Sequence, residues 1–202
     1  MPTKRGGAEP AAQTAETWIA FLRAVNVGGR KAPMAQVREL FAELGLGAVR
    51  SYIASGNVFF TLPEAPAPAA AMDRPALTLA IEEKLRAGLG FDVPVMLRTA
   101  SELEAALLAA PFDQVEVTPE VRLSVVFLSA PLEPGLTFPV RSPKGDWELL
   151  GATDGEAFVV IRLEQGKLGG NPIAVLEKTY QVRATARFFH TAGKILAAAR
   201  QS

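Results

Sequence analysis

The chain of 202 residues contains no cysteine and a single histidine, His190. The absence of cysteine excludes disulfide bonds, thiolate nucleophiles, iron–sulfur clusters and cysteine-ligated zinc sites. A metal site would need carboxylates around one imidazole. Asp146, Glu148, Asp154 and Glu156 are instead typical of the polar faces of a hairpin. We therefore expect no metal and no cofactor.

The chain also lacks net charge and long hydrophobic runs. Lysine plus arginine and aspartate plus glutamate both number 21. No global field therefore recruits nucleic acid or an anionic membrane, and such binding would need a local patch. No stretch of about 18 consecutive apolar residues is present to form a membrane-spanning helix. Residues 1–16 lack the apolar core of a signal peptide. We expect them to be a disordered tail of a soluble, cytoplasmic protein.

The order of the predicted elements indicates two small domains. With 49% hydrophobic residues, the chain is long enough for two cores. Residues 17–98 follow the order strand, helix, strand, strand, helix, strand, which is typical of the ferredoxin-like split βαβ arrangement. Residues 99–202 roughly repeat these elements without visible sequence repetition. We predict an α+β fold of two ferredoxin-like halves with antiparallel sheets, residues 17–98 and 99–202.

Apolar periodicity defines the elements of the first half. Residues 17–25 contain one charge, Arg23, and predict a buried strand. Residues 33–44 carry apolar side chains three and four positions apart and predict a helix. The proline-rich stretch 63–75 predicts a surface loop. The other elements predicted here are strands over 49–53 and 58–62, a helix from Leu77 to about Leu89, and a strand over 93–98.

The second half contains the same kinds of pattern. Ser101 is a natural N-cap for a helix through Ala110, with acidic residues in its first turn. Asp154-Gly155 between two apolar runs is a strong hairpin signal. The other elements predicted here are strands over 122–128, 147–150, 157–163 and 185–189, and helices over 171–180 and 191–200.

The first predicted strand ends in a glycine-containing turn, Asn26-Val27-Gly28-Gly29, followed by Arg30 and Lys31. Amides at a helix N-terminus and two cations all favour negative charge. An anion site and a plain strand-to-helix connection with solvated cations both fit this pattern. A second turn, residues 54–57, carries glycine and asparagine, which tolerate positive φ.

Two polar residues near these turns have two interpretations each. Arg23 in an apolar strand must reach a carboxylate or the surface, so a salt bridge and a ligand contact both fit. Ser55 lies on a turn as a nucleophile would, but it would need His190 as its base, and no GxSxG pattern is present. The alternative is that Ser55 satisfies local backbone groups.

The stretches FLRAVNVGG at 21–29 and YIASGN at 52–57 resemble domain-of-unknown-function family 1697, bacterial proteins with LRGINVGG-like and YIQSGN-like motifs. The resemblance implies two ferredoxin-like halves and no assigned activity. The positions that it marks are Arg23, Asn26, Val27, Gly28, Gly29, Tyr52, Ser55, Gly56, Asn57, Thr185, Arg187, Thr191 and Lys194.

The chain departs from the family pattern at two places. Ala24 stands where the family usually has glycine. Phe188-Phe189-His190 replaces an Asn-Trp-Asn portion, and a function carried by that portion would be altered or lost in this chain.

These residues lead to one functional hypothesis with open alternatives. We expect a small anionic or polar ligand in a cleft where the two turns lie side by side, with at least one of Arg23, Arg187 and Lys194 pointing into it. The alternatives are a nucleic-acid or protein-binding module and a metal-independent hydrolase or transferase using Ser55. The candidate ligand-binding residues are Arg23, Asn26, Gly28, Gly29, Ser55, Gly56, Asn57, Arg187 and Lys194.

Overall fold

The computed structural model describes residues 15–26, 28, 31–53, 56–63 and 68–201. Within these ranges the chain forms five α-helices and two antiparallel sheets, a mixed α+β fold. The first elements are β1 (Trp18–Leu22), α1 (Met34–Ala42), β2 (Gly47–Ser51), β3 (Asn57–Thr61), a 3₁₀ helix (Pro68–Ala71), α2 (Arg74–Leu89) and β4 (Val95–Thr99). They are followed by α3 (Ala100–Ala109), β5 (Val121–Leu128), β6 (Val140–Arg141), β7 (Trp147–Ala152), β8 (Glu156–Glu164), β9 (Lys167–Leu168), α4 (Pro172–Tyr180), β10 (Ala184–Phe188) and α5 (Phe189–Ala199).

The first sheet has the strand order β2-β3-β1-β4. In its register, Phe21 near the end of β1 lies opposite Asn57 at the start of β3 and opposite Met96 in β4. The C-terminal end of β1 and the N-terminal end of β3 therefore lie next to each other at the same end of the sheet. The buried apolar face of α1, with Val37 and Phe41, packs against one face of this sheet.

The second sheet has the strand order β10-β5-β8-β7-β6, and β9 pairs with β8. The predicted hairpin across residues 153–156 is present as β7 and β8. Leu176 of α4 packs with Trp147 and Leu149 of β7 in the apolar cluster on one face of this sheet.

Side chains from both sheets form a shared cluster at the centre of the molecule. Phe21 of the first sheet stacks on Phe127 of the second, with ring centroids 3.7 Å apart and ring planes 10° apart. Leu103 of α3 and Ile195 of α5 belong to the same cluster. Because aromatic pairs bury large apolar areas, this contact fixes one sheet against the other.

The start of α3 differs from the prediction, because Thr99 and not Ser101 is the N-cap. The Thr99 side chain accepts a hydrogen bond from the Glu102 N–H at 3.1 Å, and Glu102 accepts one from the Thr99 N–H at 2.8 Å. The sequence offers a second capping pattern from Ser101 to Glu104. The pairing of Thr99 with Trp18 in the sheet decides between them, because it ends β4 at Thr99.

The proline-rich stretch 63–75 was predicted to be a surface loop. Residues 64–67 lie outside the described residues, and residues 68–71 form a 3₁₀ helix. The 3₁₀ helix places Ala69 in the core beside α1 and α2. α2 begins at Arg74 with Asp73 as its cap, whose carboxylate accepts a hydrogen bond from the Ala76 N–H at 2.8 Å. Pro75 suits the first helical turn because its fixed φ is helical and no N–H is needed there.

Candidate functional site

The turn after β1 and the turn before β3 lie side by side at one end of the strands of the first sheet. The Leu22 N–H donates a hydrogen bond to the Gly56 carbonyl at 2.8 Å. A Cβ added at Gly56 would lie 2.5 Å from Cγ2 of Val25 and 3.0 Å from Cβ of Leu22. Gly56 also has φ +77°, so only glycine permits this close approach.

These two turns concentrate unusual backbone conformations. Ala24, Asn26 and Ile53 have φ values of 56°, 58° and 56°. Alanine and the β-branched isoleucine rarely adopt this left-handed region. Residues held in such conformations cluster at functional sites, where the surrounding structure enforces them.

Asn26 closes the loop that leads to α1. Its side-chain oxygen accepts a hydrogen bond from the Ala32 N–H at 3.0 Å, and its amide nitrogen donates to the Ala32 carbonyl at 3.3 Å. A Cβ added at Gly28 would meet no atom within 4 Å, so this side of the loop is open. Val27, Gly29 and Arg30 lie outside the described residues, whereas Lys31 is exposed.

Arg187 of β10 connects both turns to the second sheet. Its Nε donates to Oδ1 of Asn57 at 2.8 Å. Its Nη2 donates to the Gly56 carbonyl at 3.1 Å and to the Leu22 carbonyl at 3.4 Å. The sequence separation between Arg187 and Asn57 is 130 residues.

The guanidinium of Arg187 is buried, with the residue 8% exposed. Its Nη1 donates to Oγ1 of Thr185 at 3.1 Å and to the Ala186 carbonyl at 2.8 Å, and its Cζ lies 5.6 Å from the centroid of the Phe21 ring. Burial lowers the pKa of Arg187 to about 10, so the side chain remains cationic at neutral pH. A positive charge is therefore fixed against the two turns.

Asn57 is fully buried at the first position of β3. Its amide nitrogen donates to the Tyr52 carbonyl at 3.0 Å, across the β2–β3 hairpin, while its oxygen accepts from Arg187. An asparagine suits this position because one side chain both donates and accepts.

Arg23 forms the salt bridge that the sequence offered as one of two interpretations. Its Nη2 lies 2.6 Å from Oε2 of Glu177 in α4, and its Nε donates to the Ala184 carbonyl at 3.0 Å. Glu177 also accepts a hydrogen bond from the Ala184 N–H at 3.0 Å. The Arg23 side chain is 36% exposed. It therefore joins the turn after β1 to the second sheet and keeps a solvent-facing part.

Lys194 is the candidate residue that the described contacts do not link to the turns. It is exposed on α5, and no hydrogen bond or ion pair among the described residues joins it to either turn. Ser55 lies outside the described residues, so its nucleophile role stays a prediction. His190, in the first turn of α5, stacks on Phe188 and lies 3.2 Å from Oγ1 of Thr191.

Nucleic-acid binding would need a local basic patch. The candidate residues are Arg183, Arg187 and Lys194 with Arg30 and Lys31, beside Phe188 and Phe189, and Arg30 lies outside the described residues. Arg183 pairs with Glu82 at 3.0 Å, and Arg187 is buried. Phe189 packs in the central cluster and makes an edge contact with Phe112. Phe188, in contrast, is 39% exposed. Arg187 and Phe189 therefore contribute little exposed surface to such a patch.

A buried ion pair between Arg98 and Glu156 was not predicted from the sequence. Nε of Arg98 lies 2.5 Å from Oε1 of Glu156, and both residues are buried. Nη2 of Arg98 donates to the carbonyls of Leu128 and Gly155. The interpretation of Glu156 as a hairpin polar face was therefore wrong. The available signal was an arginine in an apolar strand, the pattern recognised at Arg23.

The described ranges contain no group of three or more histidine, cysteine, aspartate or glutamate side chains placed to hold a metal ion. Among the helices that the structure describes, none has the length and apolar content that crossing a bilayer requires.

The strand orders, the shared core and the arginine-linked turns define a mixed α+β protein with two antiparallel sheets. A family model described as protein of unknown function (DUF1697) matches residues 15–158, and the chain belongs to this family. This confirms the resemblance indicated by the motifs.

A solved structure supports the same fold. The chain is similar to the conserved bacterial protein SP0830 from Streptococcus pneumoniae, with 21% sequence identity and a TM-score of 0.60. The alignment covers 93% of this chain and 100% of that one. No curated protein matches the sequence.

Proposed function

We propose that the protein binds a small anionic or polar ligand at a two-turn site, whose described residues are Arg23, Asn26, Gly28, Gly56, Asn57 and Arg187. The observation that carries the proposal is the buried guanidinium of Arg187, held by hydrogen bonds to Asn57 and Gly56. A fixed charge in a partly dehydrated place acts on a ligand more strongly than a surface lysine does.

The loop beside this charge supplies further groups for an anion. Gly28 faces open space, and α1 begins a few residues later with no side-chain cap at its N-terminus. The first-turn N–H groups of a helix have no partner within the helix and carry partial positive charge. Lys31 adds an exposed cation beside this loop. A carboxylate or phosphate group matches this combination of donors.

Calorimetric titration with inorganic phosphate at constant ionic strength tests the proposal. We expect saturable binding to the native protein, weakened several-fold by Lys31→Gln. Lys167→Gln, which removes an equivalent exposed charge from β9, is the matched control and leaves the affinity unchanged. Absence of saturable binding, or equal losses in both variants, contradicts the proposal.

We further infer that residues 17–98 and 99–202 are two ferredoxin-like halves. The strand order of the first sheet and the positions of α1 and α2 support this for residues 17–98. In the second half, the order β10-β5-β8-β7 with α4 before β10 follows the same plan, with residues 129–146 in place of a helix. Because both sheets contribute to one core, we expect the separately expressed halves to gain circular dichroism on mixing. Two halves that each unfold cooperatively alone and show no gain on mixing would contradict a shared core.

A further inference from the structure

A second cavity lies between α4 and the β6–β7 hairpin, within the second half. Its volume is about 510 Å³, and its lining includes Ser142, Asp146, Trp147, Leu149, Gly170 and Leu176. The two-turn site shares none of these residues.

A buried carboxylate faces this cavity. Asp146 is 8% exposed, and its Oδ1 accepts a hydrogen bond from Oγ of Ser142 at 2.5 Å. A Cβ added at Gly170 would lie 2.7 Å from Oδ2 of Asp146, and one at Gly169 would lie 2.8 Å from it. Oδ2 therefore approaches both glycines too closely for a side chain at either position.

The second carboxylate oxygen, Oδ2, has no hydrogen-bond donor among the described residues. No described residue donates a hydrogen bond to Oδ2 of Asp146, whose described side-chain bond is the one to Ser142. The described residues contain no buried side-chain oxygen or nitrogen that lacks a partner. Oδ2 is therefore not completely buried, and Asp146 is one of the residues that line the cavity.

Aromatic and aliphatic side chains line the cavity beside this carboxylate, together with polar and cationic ones. The indole Nε1 of Trp147 would lie 3.1 Å from a Cβ at Gly170, so the ring edge and the carboxylate face the same point. Leu149 and Leu176 are buried beside it, and Val175 is 43% exposed at the rim. Asp146 is the one carboxylate among the lining residues, and a single charged acceptor beside apolar side chains selects the orientation of a ligand.

We propose that this cavity binds a small molecule that carries a protonated amine on an apolar body. The ammonium group donates to Oδ2 of Asp146, because a carboxylate removed from water gains most from a charged donor. The apolar body packs against Trp147 and Leu176. The exposed Lys144 and Arg141 at the rim disfavour a second positive charge on the ligand.

Fluorescence titration with phenethylamine and the neutral 2-phenylethanol tests the proposal. The chain has two tryptophans, so Trp18→Phe leaves Trp147 as the reporter. We expect phenethylamine to change the Trp147 emission saturably and the alcohol to bind about tenfold more weakly or worse. Asp146→Asn keeps the size of the side chain and an acceptor for Ser142. It should weaken amine binding by about tenfold and leave alcohol binding unchanged.

Two further variants complete the design. Asp154→Asn, at an exposed hairpin position, is the matched control and should not change amine affinity. Val175→Lys adds a cation at the exposed rim and should weaken amine binding even if Asp146→Asn fails to fold. Equal binding of amine and alcohol, unchanged amine affinity in folded Asp146→Asn or in Val175→Lys, or an emission that never saturates would overturn the proposal.

Discussion

Replacing Arg187 with methionine removes the guanidinium that joins both turns to β10 while keeping a long apolar side chain. Five described hydrogen bonds are lost, and their acceptors include the buried Asn57 side chain and the carbonyls of Gly56 and Leu22. Hydrogen bonds from a charged donor contribute about 1.5 kcal/mol each at the low end of their range.

Removing the charge also removes the unfavourable free energy of desolvating it. Burial lowers the pKa of Arg187 from its ordinary value to about 10. That difference corresponds to desolvation on the order of 3 kcal/mol. The lost hydrogen bonds outweigh this relief, and we expect Arg187→Met to lower the free energy of unfolding by about 4 kcal/mol.

Urea unfolding at neutral pH, followed by circular dichroism, measures this loss. Arg86→Met on the exposed face of α2 is the matched control and should change stability by less than about 0.5 kcal/mol. A double-mutant cycle with Asn57→Ala should give a coupling of about 1 to 2 kcal/mol. A loss below about 1 kcal/mol for Arg187→Met, or strict additivity with Asn57→Ala, would refute the reasoning.

Three further predictions concern the turns and the cap of α3, each measured by urea unfolding. Gly56→Ala should lower the free energy of unfolding by more than about 2 kcal/mol, because its Cβ would clash with Val25. Gly28→Ala, whose Cβ would meet no atom within 4 Å, should lower it by about 1 kcal/mol, because alanine is unfavourable in the left-handed conformation. Equal effects would contradict the close approach of the turns. Ala24→Gly should raise the free energy of unfolding by about 0.5 kcal/mol or slightly more, because Ala24 has a φ of 56°, which glycine adopts more readily. A lower free energy of unfolding in this variant would contradict the positive φ at this position. At Glu102, burial acts to raise the pKa, but hydrogen bonds from Arg74 and the Thr99 N–H hold it below the ordinary 4.5. The ionised Glu102 carboxylate therefore stabilises the folded protein fully above pH 4.5, and this stabilisation is lost as the pH falls through the lowered pKa of the folded state. Glu102→Gln should cost about 0.5 kcal/mol at neutral pH and progressively less as the pH falls below 4.5. A cost independent of pH would contradict this.

Local patterns in the sequence predict much of this fold. The apolar spacing in 33–44 indicates α1, and Asp154-Gly155 indicates the β7–β8 hairpin. These succeed because helix periodicity and turn chemistry depend on neighbouring residues. The start of α3 was misplaced, because two capping patterns overlap and sheet pairing of Thr99 selects one.

The candidate site is harder to predict from local sequence patterns than the fold is. The glycine-containing turns were recognisable individually, and Ala24 marked a position where the family usually has glycine, as its positive φ explains. The bond between Arg187 and Asn57 joins residues 130 positions apart, so no local spacing encodes it. The same holds for Arg98 and Glu156, whose pairing depends on how the two sheets pack.

The most direct test of the central claim, that the two turns and Arg187 form an anion site, is an amide-resolved NMR titration with inorganic phosphate. We predict that the backbone amides of Gly28 and Gly56 and the Nε–H of Arg187 shift together and saturate with one dissociation constant. Sodium chloride at matched ionic strength should leave them in place. Shifts confined to exposed cations such as Lys167, or shifts that grow without saturating, would contradict the account.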